Sequence, residues 1–224
     1  MGITKLQLYN NALLLCGETF LASTSEAREP RRLLDQVYDV NGVDACLEQG
    51  QWWFAMRAVQ IDYDPAVLPT FGYRRAFVKP SDWIATGSIC SDEYFRSPLT
   101  AYVDETGYWY SDTEPIYVKY VSNHTSYGGN LAAWPASFAN YVATYFASRI
   151  ISKLAGDKAA QKEAIFGPPG QPNRGLLATS LHDAKTASAM TQPTMFVAQG
   201  NWSRARQGNR SGYRDGGNRG SLLG

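Results

Sequence analysis

The chain has 224 residues, 44% of them hydrophobic and 18% charged, with a net charge of +1. That balance excludes a disordered polyelectrolyte and suits one large folded domain or two small ones. It also lacks the overall basic excess of a nucleic-acid-binding domain, although residues 201–224 hold five Arg against one Asp, a local +4 that leaves the remainder at −3.

Thr4 is placed to cap a helix that carries Leu6, Leu13 and Leu14 on one face and stops at Gly17. Ser23-Thr24-Ser25 is expected to start a second helix. Its apolar positions Leu33, Leu34, Val37, Tyr38 and Leu47 recur at helical spacing until Gly50, with a kink or break at Asn41-Gly42. The two segments read as an antiparallel pair.

The texture changes at Trp52. From there to about Asn130 the chain is rich in Tyr, Trp, Val and Ile, broken by Pro and Gly. Phe54, Met56 and Ala58 alternate with other residues, and Tyr73 to Val78 reads as a strand ended by Lys79-Pro80. Tyr102-Val103 and Tyr108-Trp109-Tyr110 flank the turn signal Asp104-Glu105-Thr106-Gly107, and Ile116, Val118 and Tyr120 alternate in a last strand. The expectation is an antiparallel β-domain of four to six strands. Helix returns at Trp134-Pro135 with the stripe Phe138, Tyr141, Val142, Tyr145, Phe146, Ile150 and Leu154. Asp157 is expected to cap a short helix to Phe166. The loop Gly167-Pro168-Pro169-Gly170-Gln171-Pro172 cannot be helical, and a last helix is expected from Asn173 to Met190 with Leu176, Leu177, Leu181 and Ala184 inward. The fold class is therefore α+β: a helical bundle (residues 1–50 and 131–190), an inserted β-domain (residues 51–130) and an extended C-terminal arm (residues 191–224). The arm is too poor in apolar residues to fold alone.

No phosphate-binding loop, dinucleotide fingerprint or HExxH motif is present. Cys16, Cys46 and Cys90 are odd in number and lack CxxC spacing, which favours free thiols over a disulfide frame or zinc site. The one early apolar run, residues 12–16, is too short for a secretion signal, so a cytoplasmic chain is expected. No stretch is long and apolar enough for a bilayer. A His-based site would have to use His124, in a loop, or His182, beside Asp183 on a helix. A glycosidase needs two convergent carboxylates. The candidates are Asp62 with Asp64, Asp92 with Glu93, and Asp104 with Glu105. Adjacent residues on a strand point to opposite faces, which argues against such pairs. The arm has three open readings: Arg204, Arg206, Arg210, Arg214 and Arg219 on phosphates with Trp202 and Tyr213 stacked on bases; a segment anchored on a protein partner by Phe196, Trp202 and Tyr213; or a solvated tail.

Seven stretches, taken together, resemble the tail tubular protein A family of short-tailed bacteriophages. They are residues 8–15 (LYNNALLL), 29–35 (EPRRLLD), 46–50 (CLEQG), 71–77 (FGYRRAF, followed by Lys79-Pro80), 90–96 (CSDEYFR), 115–123 (PIYVKYVSN) and 127–129 (YGG). They keep the family's order and span about Leu8 to Leu154. From about Gly167 onward the likeness fades. The resemblance implies a helical bundle with a β-domain and a ring of about twelve copies, closed by heterologous contacts. That ring sits between portal and tail nozzle, with fibres near the nozzle junction and DNA crossing the lumen. It implies a virion structural protein with no cofactor and no metal. On that reading the bundle is expected to form the ring wall, and aromatic β-domain surface to meet nozzle and fibres. The arm is expected to bind the portal through Phe196, Trp202, Arg204, Arg206, Arg210, Tyr213, Arg214 and Arg219. A tail-associated glycan hydrolase using Asp92 or Glu93, and a nucleic-acid-binding protein using the Arg-rich arm, are the alternatives.

Overall fold

A computed structural model describes residues 2–154 and 156–191. Thr4 caps the first helix, α1 (Lys5–Cys16), with a reciprocal box: its Oγ1 accepts from the Gln7 amide, and Gln7 Oε1 accepts from the Thr4 amide. Gly17 ends it in the left-handed region (φ 67°, ψ 34°), which a side chain would disfavour. The buried face is Leu8, Tyr9, Ala12, Leu13 and Cys16; Leu14, expected inward, is 62% exposed. Five neighbouring leucines within ten residues made two faces look equally apolar.

The second helix, α2 (Glu29–Val37), starts four residues after the expected Ser/Thr cluster. Pro30 in its first turn sets the start, where a missing N–H costs nothing. The Asn41-Gly42 signal is borne out: Val40 (φ −95°, ψ 63°) and Asn41 (φ 57°, ψ 21°) leave helical geometry before α3 (Val43–Leu47). The first two helices do run antiparallel, with Lys5 and Tyr9 of α1 on Asp35 near the end of α2 and Arg28 reaching back to Thr19 and Phe20, but this pairing is the lesser one. α1 touches α2 at few points and packs chiefly on α4 (Ala136–Ile150). Gly2 abuts the Ala132 backbone at one end, and the Cys16 thiol donates to the Ala147 carbonyl at the other (3.8 Å), so α1 and α4 run parallel.

α4 is buried on nearly every side: besides the expected stripe, Ala139, Ala143, Thr144, Ala147 and Ser148 are covered. α5 (Ala159–Phe166) is preceded by Asp157, whose carboxylate accepts from the Ala159 amide at 3.0 Å. The Gly/Pro loop and a short turn at Pro172–Arg174 lead to α6 (Leu176–Thr191). Ala184 is buried as expected and Leu177 and Leu181 lie half-buried against the core, but Leu176 is 42% exposed.

Six strands form two three-stranded antiparallel sheets. The first has β6 (Ile116–Ser122) between β1 (Met56–Ile61) and β3 (Trp83–Cys90); the second has β5 (Tyr108–Ser111) between β2 (Arg75–Val78) and β4 (Val103–Glu105). Strand β3 is absent from the sequence reading. It has no alternation of burial, and two register shifts against β6 distort it. Gly87 sits where a Cβ would lie 2.7 Å from Met56 Cε and 2.9 Å from the Lys119 carbonyl, so only glycine allows that approach.

One hydrophobic cluster takes in α1, α2, α3, the Trp52–Ala55 turn and α4 through α6. A smaller one lies between the sheets around Phe77, Ile89, Trp109, Ile116, Val118 and Tyr120. Residues on both sides of the β-region in sequence therefore share a single helical core. Phe138 (1% exposed) is its centre, so Phe138→Ala should cost about 3–5 kcal/mol. Leu14→Ala should stay within about 0.5 kcal/mol of wild type. Urea midpoints of the two variants check the central place of Phe138 and the outward face of α1 at Leu14.

Candidate functional site

The residues singled out for catalysis are dispersed, and several have a local structural job. His124 Nδ1 accepts from the Ser126 amide at 3.1 Å and its ring rests on Tyr127; His182 is exposed on α6. Neither imidazole is hydrogen-bonded to a hydroxyl, thiol or carboxylate among the described residues. Asp64 caps the Ala66 amide at 2.9 Å, and Asp62 is bonded to the Gln60 side chain at 3.2 Å. Asp92 accepts from the amides of Arg96 (3.0 Å) and Ser97 (2.7 Å), which hold its carboxyl below the usual range. The three cysteines are free and buried, and no group of His, Cys, Asp or Glu side chains suited to a metal occurs among the described residues.

Two aspartates do assemble networks. Asp104 receives the Lys79 ammonium, the Thr86 hydroxyl (2.8 Å) and the Trp109 indole (3.1 Å). Lys79, only 7% exposed, lies 3.9 Å from the Trp83 ring centroid and 5.4 Å from that of Trp109. Trp83 and Thr86 belong to the first sheet, and Asp104 and Trp109 to the second, so this cluster stitches the sheets together. Burial pushes the Asp104 carboxyl up, but the bonds from Lys79, Thr86 and Trp109 outweigh it and hold it low.

Asp82 was not singled out in the sequence. It accepts from Arg57 (2.9 Å), Tyr120 (3.0 Å) and the Ser122 hydroxyl, partners 25, 38 and 40 residues away. Its own backbone carbonyl accepts from Asn123, whose side chain reaches Asp44 on α3. Burial pushes this carboxyl up too, and the bonds from Ser122, Arg57 and Tyr120 bring it below the usual range; burial and Asp82 push the Tyr120 phenol up to about 12. No local pattern announces Asp82; only tertiary pairing makes it important.

What the surface offers is contact area. Leu68 and Phe71 are 82% and 89% exposed in the segment between β1 and β2, and Tyr94 is 69% exposed beyond β3. A hollow of about 280 Å³ beside Phe71 is lined by Pro69, Tyr73, Val103, Glu105 and Tyr110. On the helical side a groove of about 470 Å³ runs between α3, α4 and the α5–α6 connection, walled by Tyr141, Tyr145, Phe166, Leu177 and Leu181 with Glu48 at its rim. Exposed apolar side chains beside open hollows are a signature of protein contact surfaces. The arm residues Phe196, Trp202, Arg204, Arg206, Arg210, Tyr213, Arg214 and Arg219 lie outside the described residues. No helix among the described residues is long and apolar enough to cross a membrane. The chain matches no family model and no curated protein.

The two low carboxyls fix the sign of an acid effect. Each contributes stability in full above the unfolded aspartate value of about 3.9, and loses it as pH falls through its lower folded value. Asp82→Asn should therefore cost about 2 kcal/mol at pH 7, moderated by the partial exposure of Arg57. The gap from wild type should narrow at pH 3. Urea melts at both pH values decide it; a gap that stays constant would exclude an ionised Asp82 as the source.

Proposed function

We propose that this chain is a head-to-tail adaptor of a short-tailed bacteriophage, a structural virion protein without a catalytic step. Copies close into a ring between the portal and the tail nozzle, and the genome passes through the lumen. The observation that carries this reading is the ordered series of seven stretches resembling the tail tubular protein A family. An α+β fold with bundle and sheets is what that resemblance implies. Support also comes from where the stretches lie: residues 8–15 in α1, residues 115–123 around the central strand β6, and residues 71–77 running from the exposed Phe71 into strand β2 and its buried Phe77.

In physical terms, an adaptor needs broad, preformed surfaces for several partners. Exposed β-region aromatics such as Tyr94 supply area for the nozzle and the fibres. A body with a net charge of −3 outside residues 201–224 suits a channel along which DNA slides without phosphate contacts. The five Arg, with Phe196, Trp202 and Tyr213, give the C-terminal arm its role: contact with portal carboxylates or channel DNA, formed on assembly.

Purified protein mixed with DNA-filled, tailless heads should sediment with them and appear by electron microscopy as a ring at the portal vertex. A chain cut after Met190 should keep its melting temperature and lose that docking. Failure of the full chain to join heads at any salt concentration rules out the adaptor role; normal docking of the truncated chain removes the arm from it.

A further inference from the structure

Resting on the ring reading, we infer that neighbouring copies join by seating Leu68 and Phe71 of one copy in the groove between α3, α4 and the α5–α6 connection of the next. Among the described residues these two are the most exposed large hydrophobic side chains, at 82% and 89%. Their segment is held in shape. The Asp64 amide donates to the Ala76 carbonyl at 2.8 Å, Asp64 caps Ala66, and Pro65 and Pro69 fix two backbone torsions. A preordered apolar projection loses little entropy on binding, which is what a contact surface requires.

The groove matches in shape and charge. Its wall is aromatic and aliphatic, from Tyr141, Tyr145, Phe166 and Leu177, and its volume of about 470 Å³ has room for two large side chains. Glu48 stands at its rim and has no ion-pair partner among the described residues. Arg74, exposed three residues beyond Phe71, likewise has none, and only its backbone amide is bonded, to Asp112 at 2.8 Å. The projection thus carries an unused cation and the groove an unused anion. Two other helical hollows fit less well. One has Asp183 but a largely hydroxyl and amide lining from Ser137, Asn140, Thr144, Thr179 and Ser180, with no aromatic wall, and the other carries Arg149 and Lys153, which would repel Arg74. Projection and groove are different surfaces of one chain, so their union is head-to-tail, the type of contact that generates rings.

The test uses full-length protein assembled on tailless heads. With p-benzoylphenylalanine at position 71, illumination should join that position to the 141–181 segment of another copy, identified by mass spectrometry. Arg74→Glu and Glu48→Arg should each raise the unassembled fraction about tenfold, and the double reversal should restore rings. Leu68→Ser/Phe71→Ser should melt like wild type yet fail to close. Rings that form with position 71 joined to portal or nozzle protein, or with the charge reversals merely additive, overturn the inference and leave the adaptor reading standing. Wild-type chains that form no ring on heads overturn both.

Discussion

Phe138 is the point at which helices and sheets are tied. Its ring centroid lies 4.8 Å from that of Trp52, 4.9 Å from Phe54 and 5.0 Å from Trp134, edge-on to the last. Trp52 and Phe54 are where the chain enters the β-region, and Trp134 is where it has returned. An inserted unit needs its two ends close together, and this aromatic cluster holds them so. Each polar handle is satisfied: the Trp52 indole donates to the Leu47 carbonyl at 3.0 Å, and that of Trp134 to the Gly128 carbonyl at 2.8 Å. The backbone completes the junction, with the Ser122 amide on the Ala55 carbonyl and the Gly128 amide on the Ser122 carbonyl.

The two small sheets gain their permanence differently. Three strands are near the minimum for stability, and the cluster between them has only six fully covered hydrophobic residues. Asp104 with Lys79 and two indoles fastens one sheet to the other, while Asp82 fastens strands β1 and β6 to the turn that begins β3. Both are nearly saturated with donors, and for Asp82, the buried one of the two, it is this saturation that makes the carboxylate tolerable. They leave the outer loops free to project apolar side chains, because the frame beneath does not rely on them.

Legibility of the sequence followed how local the cause was. The cap at Thr4, the stop at Gly17, the break at Asn41 and the alternation of Ile116, Val118 and Tyr120 are all decided within a few residues, and all are readable. Helix α2 began later than expected because Pro30, not the preceding Ser/Thr run, controls its first turn. β3 stayed hidden because its glycine and its register shifts answer to Met56 and Lys119, which are distant in sequence. The same holds for the surfaces. Which leucine of residues 13–15 faces outward, and that Leu68 and Phe71 stand clear, depends on the packing of other elements. Pattern alone gives no such information. Asp82, hydrogen-bonded only across long separations, is the clearest case of a key residue with no sequence signature.

The parallel course of α1 and α4 has an electrostatic consequence. Two helices side by side in the same sense bring their partial negative ends together, at Gly17 and Ile151, where unpaired carbonyls accumulate. α1 has no basic residue in its last turn. The deficit is met from outside: Lys158, 12% exposed, reaches the Gly17 carbonyl at 3.4 Å and pairs with Glu18 at 2.9 Å, while Arg149 stands in the last turn of α4. The short helix α5 thus owes its place against the bundle as much to the field at that end as to its one buried side chain, Ile165.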